Sequence, residues 1–182
     1  MPLSDEQRER IAAFRTYIAD AVGNDDRYGP ATRCDREDES TLAMRFAAGP
    51  SCWFEIALRP SIPQIRVGFL TDDRWRSEEL EQAIQDSGDT MEEFVEVGFE
   101  EAGLAWEEPP VEHYRDSGKY FYFATPLALE DLDELEQESL RSKVLRMLDG
   151  YLIAFGPVLE ADDDDEAHEH EPVEPAEKAD SE

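Results

Sequence analysis

The sequence predicts an α+β domain: an antiparallel sheet of four to five strands with helices packed on one face. Three observations predict it. Apolar residues recur at helical spacing near the start of the chain and again in its last third. Between them, three segments alternate apolar and polar side chains and are joined by connections short enough to demand antiparallel neighbours. Helical and extended segments are also grouped, which segregates helices to one side of a sheet.

The first helix begins at a capping box, Ser4 with Gln7; Ile11, Phe14, Ile18 and Val22 form its apolar face, and Gly23 is placed to end it. Residues 24–40, NDDRYGPATRCDREDES, have no period and read as a loop with an edge strand near Ala31–Arg33. Three strands follow, marked by Leu42, Met44 and Phe46, by Cys52, Phe54, Ile56 and Leu58, and by Ile65, Val67 and Phe69. Gly49-Pro50 and Pro60-Ser61-Ile62-Pro63 supply the turns.

Next comes a helical segment over 77–103, split by Ser87-Gly88. Its first part turns Leu80, Ala83 and Ile84 inward, and its second opens on the capping box of Thr90 and Glu93. Residues 106–112, which include Pro109-Pro110, are expected to hold one brief strand. KYFYFATPL, 119–127, is an aromatic strand with Phe121 and Phe123 on one face, Tyr120 and Tyr122 on the other, and Pro126 as its stop. The longest helix is expected over 130–155, with Leu132, Leu135, Leu140, Val144, Leu148, Tyr151 and Phe155 as its stripe. After Gly156-Pro157 the composition changes: residues 157–182 carry 12 acids and one lysine. The expected organisation is a single domain over 1–156 and a disordered acidic tail over 157–182.

With 46 acidic against 17 basic residues, the chain has a formal charge of -29, which repels phosphate backbones and anionic lipid. Nucleic acid and membrane are therefore not expected partners. No apolar run approaches the ~20 residues that span a bilayer, and MPLSDEQRER lacks the basic and then apolar character of a signal peptide. A cytoplasmic location is expected. Three lysines against fourteen arginines fit GC-rich coding or a salty cytoplasm, so the acidity also has an explanation in habitat. Cys34 and Cys52 are too few for a disulfide framework and form no CxxC pair; Cys52 reads as a small core residue.

This order of elements, and in particular KYFYFATPL running into a long helix that ends KVLRMLDGYLIAFGPVL, resembles the fold shared by type III secretion chaperones and the YbjN-like proteins grouped with them. The similarity covers roughly residues 5–156 and lies in element order and pattern. It implies a small, acidic, non-enzymatic protein, often homodimeric, that binds extended polypeptide across its surface.

Motifs for chemistry are sparse. EAHEHE offers His168 and His170 beside carboxylates, but a metal site needs ligands preorganised by a fold. DLDELEQE, 131–138, has Leu135 where a calcium loop needs a ligand and no glycine at the turn. His113 is the single histidine of the body, with neither partner nor pocket legible around it. GxSxG, GxGxxG and the P-loop pattern are absent. No catalytic residue, metal site or cofactor is assigned.

The remaining signal lies in residues 41–70, which hold three arginines and a single acid, Glu55, for a local charge of +2. If Cys52, Phe54, Ile56 and Leu58 face the helices, alternation sends Trp53, Glu55, Ala57 and Arg59 outward. By the same rule Arg45, Arg66, Leu70, Tyr120 and Tyr122 share that outer face. Arg45, Trp53, Arg59, Arg66, Tyr120 and Tyr122 are the candidate binding residues, because arginines and aromatics are enriched where partners dock. The expected function is that of a non-catalytic binding protein, chaperone-like or regulatory, docking a protein or peptide partner or its own second copy there. Two others stay open: a small enzyme with no recognisable motif, and a salt-adapted structural or regulatory protein. A flat, aromatic, basic face would favour binding, whereas a pocket holding His113 beside carboxylates would favour an enzyme. Self-association is expected through the outer face or through residues 91–102.

Overall fold

The computed structural model describes residues 2–116 and 118–166. Helix α1 (Asp5–Gly23) leads into strand β1 (Ala31–Arg33), then β2 (Leu42–Gly49), β3 (Cys52–Arg59) and β4 (Gln64–Thr71). Helices α2 (Arg74–Ser87) and α3 (Met91–Glu101) follow, then β5 (Glu112–Asp116), β6 (Tyr120–Ala128), a 3-10 turn (Leu132–Glu136) and α4 (Glu138–Glu166). The class is α+β. The sheet has six antiparallel strands in the order β1-β2-β3-β4-β6-β5, one more than the upper expectation of five. Both anticipated capping boxes form, with the side chains of Ser4 and Gln7, and of Thr90 and Glu93, each satisfying the other residue's backbone N–H.

Alternation sorts the sheet's two faces. Phe46, Phe54, Phe69 and Phe123 are fully or almost fully buried against the helices, together with Ile56, Ile65 and Val67. Helix α1 contributes Ile11, Phe14, Ile18 and Val22 to the same core, α2 contributes Leu80 and Ile84, and α3 contributes Val95 and Phe99. Phe155 of α4 stacks on Phe69 with ring centroids 5.1 Å apart. Helix α3 lies against α4 almost backbone to backbone: a Cβ at Gly98 would stand 2.3 Å from the carbonyl oxygen of Gly150. That contact uses one side of the segment expected as a self-association seam, and Val97 is its exposed apolar residue.

Four local expectations need correction. The strand expected in 106–112 lies at Glu112–Asp116, where the charges of Glu112, Arg115 and Asp116 hide it in the sequence. Pro126 does not stop β6, which runs to Ala128. The β5 ladder ends at Glu112 opposite Ala124, so beyond that point β6 is an edge, and a missing N–H there forfeits no ladder bond. The long C-terminal helix is interrupted: Leu132–Glu136 forms a 3-10 turn capped by Asp131, and α4 starts at Glu138. Finally, α4 continues through Pro157 to Glu166, and Leu159 is only 7% exposed in the main core. Helix α4 therefore runs past residue 156; residues 167–182, most of the expected tail, lie outside the described residues.

The sheet is creased. Gly68 shares the outward row of Glu55 and Ala124. A Cβ on it would lie 2.1 Å from the Phe123 carbonyl oxygen and 2.7 Å from the Ala124 Cα. So close an approach means that β4 and β6 fold toward the outer side there, an arrangement open to glycine alone.

Two stability measurements check this account. Gly68→Ala should lower unfolding free energy by about 1–3 kcal/mol or more in denaturant titration, since backbone, not a flexible side chain, must give way. A chain ending at residue 157 should be less stable than one ending at 166 by about 2–3 kcal/mol, the burial of Leu159 with a part of Val158; equal melting of the two would show that α4 contributes nothing past the proline.

Candidate functional site

All six residues singled out by alternation lie on the outer face, away from the helices. The row Trp53, Leu70, Tyr122, Tyr114 crosses four strands, and the next outward row runs Arg45, Glu55, Gly68, Ala124, Glu112. Trp53 meets Tyr120 edge-on, with centroids 6.2 Å apart, and Tyr114 stacks on Tyr122 at 5.0 Å. Arg45 lies 4.4 Å over the Tyr120 ring and Arg66 lies 5.1 Å over that of Tyr114. The aromatic wall and the arginines are one interlocked layer.

The face is not flat. Arg36, just beyond β1, donates to Asp116 of β5 at 2.5 Å, although these elements stand at opposite edges of the sheet. Arg45 of β2 reaches the hydroxyl of Tyr122 on β6 at 3.0 Å across β3 and β4. The sheet thus curls over its own outer face and encloses a cleft of about 230 Å³, lined by Arg36, Glu55, Arg59, Arg66, Tyr114, Asp116 and Tyr122 among others. Outside the lining, Tyr120 packs edge-on against Tyr122 with centroids 6.4 Å apart, and Trp53 packs against Tyr120 in turn.

The expected arginine island is largely neutralised. Arg45 donates from Nε to Glu55 Oε2 at 2.7 Å, and Arg66 pairs with Glu112 at 2.9 Å while donating to the Tyr114 hydroxyl at 3.0 Å. Of the three arginines in residues 41–70, Arg59 alone meets no carboxylate among the described residues; its one hydrogen bond is a long contact of 3.4 Å with Gln64. Glu55, which alternation turns outward, is only 6% exposed because Arg45 and the curled strands cover it. Burial pushes its carboxyl above the ordinary range, and the Arg45 guanidinium offsets that only in part. Burial likewise raises the phenols of Tyr114 and Tyr122, so both keep their hydroxyl protons.

Other candidates fall away from this cleft. His113 points to the helix side, stacked on Phe123 at 4.1 Å, with Nδ1 donating to the Tyr122 carbonyl and Nε2 at 3.0 Å from Glu81 of α2. It pins the edge strand β5 to its neighbours. Asp131 caps the 3-10 turn through the N–H of Asp133. Cys52 is buried and Cys34 half-buried, both as free thiols. Among the described residues no cluster of three or more His, Cys, Asp or Glu is arranged to hold a metal ion, and His168 and His170 lie outside them. No helix among the described residues is long and apolar enough to cross a membrane.

Sequence reading missed Arg36, Tyr114 and Asp116. The last two sit with Glu112 on a period of two, a signal present in EHYRD but masked by its charges. Arg36 belongs to an aperiodic segment, and only the curl of the sheet brings it to the site. No protein-family model, curated protein or solved structure matches this chain.

The buried carboxyl gives a pH signature. A raised value means that, upward from the ordinary 4.5, the folded chain keeps a proton that the unfolded chain has released. Stability therefore falls as pH rises through that interval. Glu55→Gln keeps an acceptor for Arg45 and removes this component. Thermal unfolding of the two proteins between pH 4 and pH 7 should show the difference moving in favour of the variant as pH rises; a shift the other way would mean that the ion pair with Arg45 outweighs burial.

Proposed function

We propose that this chain is a non-catalytic, cytoplasmic binding protein, chaperone-like, that docks a polypeptide partner on the outer face of its sheet. The observation that carries this reading is the convergence of Arg45, Trp53, Arg59, Arg66, Tyr120 and Tyr122 on one helix-free face, where Arg59, Arg66 and Tyr122 line a cleft. Arginine forks and rigid aromatic rings suit a partner held by planar, directional contacts with little ordering cost. The order of elements that resembles the type III secretion chaperones and YbjN-like proteins supports the same reading.

A second copy is the weaker occupant. Bringing one chain of -29 against another is opposed at low salt, so self-association should strengthen as salt screens it. An enzyme reading has one observation in its favour, a buried carboxyl with a raised pKa at the cleft. Against it, no histidine or cysteine among the described residues lines the cleft, and His113 serves the opposite face.

Trp53→Ala and Arg59→Ser should each weaken partner binding by about 1–3 kcal/mol. Folding should change little, because Trp53 is half-buried outside the core and Arg59 has no ionic partner among the described residues. Partner retention on immobilised protein, compared with each variant's melting curve, checks both halves. Equal retention by wild type and both variants would remove the outer face from the function.

A further inference from the structure

The floor of the cleft holds more hydrogen-bonding capacity than the fold consumes. Glu55 uses Oε2 to accept from Arg45, while its Oε1 accepts nothing among the described residues and its carboxylate lines the cavity. The hydroxyls of Tyr114 and Tyr122 accept from Arg66 and Arg45, which leaves each O–H hydrogen free to donate. Arg59 lines the same cavity and, among the described residues, makes only its long contact to Gln64. Three donors therefore converge on a space whose floor presents one buried acceptor.

Charge specifies the missing group. Four guanidinium groups, on Arg36, Arg45, Arg59 and Arg66, face three carboxylates, on Glu55, Glu112 and Asp116. The set is one carboxylate short of neutral, and Arg59 is the cation left over. Size and shape narrow the choice further. A cleft of about 230 Å³ takes one or two residues and not a long extended run. Arg36 and Asp116 line it and join the sheet's edges at 2.5 Å, which stands against a chain passing straight through. A chain end meets these conditions at once, with two acceptor oxygens, one negative charge and an amide N–H three bonds from the carboxylate carbon.

We propose that the cleft captures the C-terminal carboxylate of its polypeptide partner. Arg59 and the hydroxyls of Tyr114 and Tyr122 hold the carboxylate oxygens, and Glu55 Oε1 accepts the last amide N–H. The preceding residues of the partner then lie along Trp53 and Tyr120. This rests on the reading of the outer face as a polypeptide-docking surface and narrows it to the end of the chain.

The test uses N-acetylated tripeptides, Ala-Ala-X with each amino acid in turn at X, as free acids and as C-terminal amides. They are titrated by calorimetry into the full chain. At the preferred X, the free acid should bind at least about tenfold more tightly than the amide, the size of one charge-assisted hydrogen bond. Arg59→Gln should reduce the acid to the level of the amide while leaving the melting curve in place, and Tyr114→Phe should weaken the acid alone. Equal binding of acid and amide, or a preference that survives Arg59→Gln, overturns the chain-end proposal and leaves internal segments as the docked species. Failure of both forms at every X also overturns it. The polypeptide reading itself is then judged separately, by the Trp53→Ala and Arg59→Ser retention measurements.

Discussion

The outer face depends on the absence of a side chain at residue 68. Strands β4 and β6 approach there until the Phe123 carbonyl oxygen occupies the space a Cβ would need, 2.1 Å from its position. That crease turns a sheet into a trough. It shortens the distance from β2 to β6 so that Arg45 can bond to Tyr122, and it brings the residue after β1 within reach of β5. A flat sheet of six strands would place its edges about 24 Å apart, beyond any pair of side chains.

The trough explains why arginine dominates the site in a chain with few lysines. Two of the guanidinium groups each serve several partners: Arg45 joins Glu55, Tyr122 and the Tyr120 ring, and Arg66 joins Glu112 and Tyr114. An ammonium is a point charge without that planar fork and could not hold three strands in register at once. The face is thus almost neutral within a protein of -29, and its character lies in where donors and acceptors point.

The sequence made the faces legible because strand alternation is a local property. Trp53, Arg45 and Tyr122 could be assigned to one side from period two alone, and the core stripes of α1 and α4 from period 3.6. Curvature was not legible, since Gly68 reads as any strand glycine until its partner at Ala124 is known. Glu55 shows the cost of that gap: its outward direction is right, yet long-range cover buries it. Position 157 fails for a related reason. Proline is a poor residue inside a helix, but packing of Leu159 on the core overrides local preference.

The Arg36–Asp116 clasp also orders the events of folding. Its two residues are 80 positions apart, and the Arg45–Tyr122 contact spans 77. Closing such loops costs entropy before any contact repays it, so pairs of this kind form after the hairpins and local helices. The hairpins β2–β3 and β3–β4 can assemble from neighbouring chain, but the trough exists only once β5 has docked beside β6. A nascent or partly unfolded molecule has the aromatic and arginine side chains without the concavity that assembles them. A ligand of the trough would therefore bind the completed fold alone, and its binding energy would add to the stability of that state and of no earlier one.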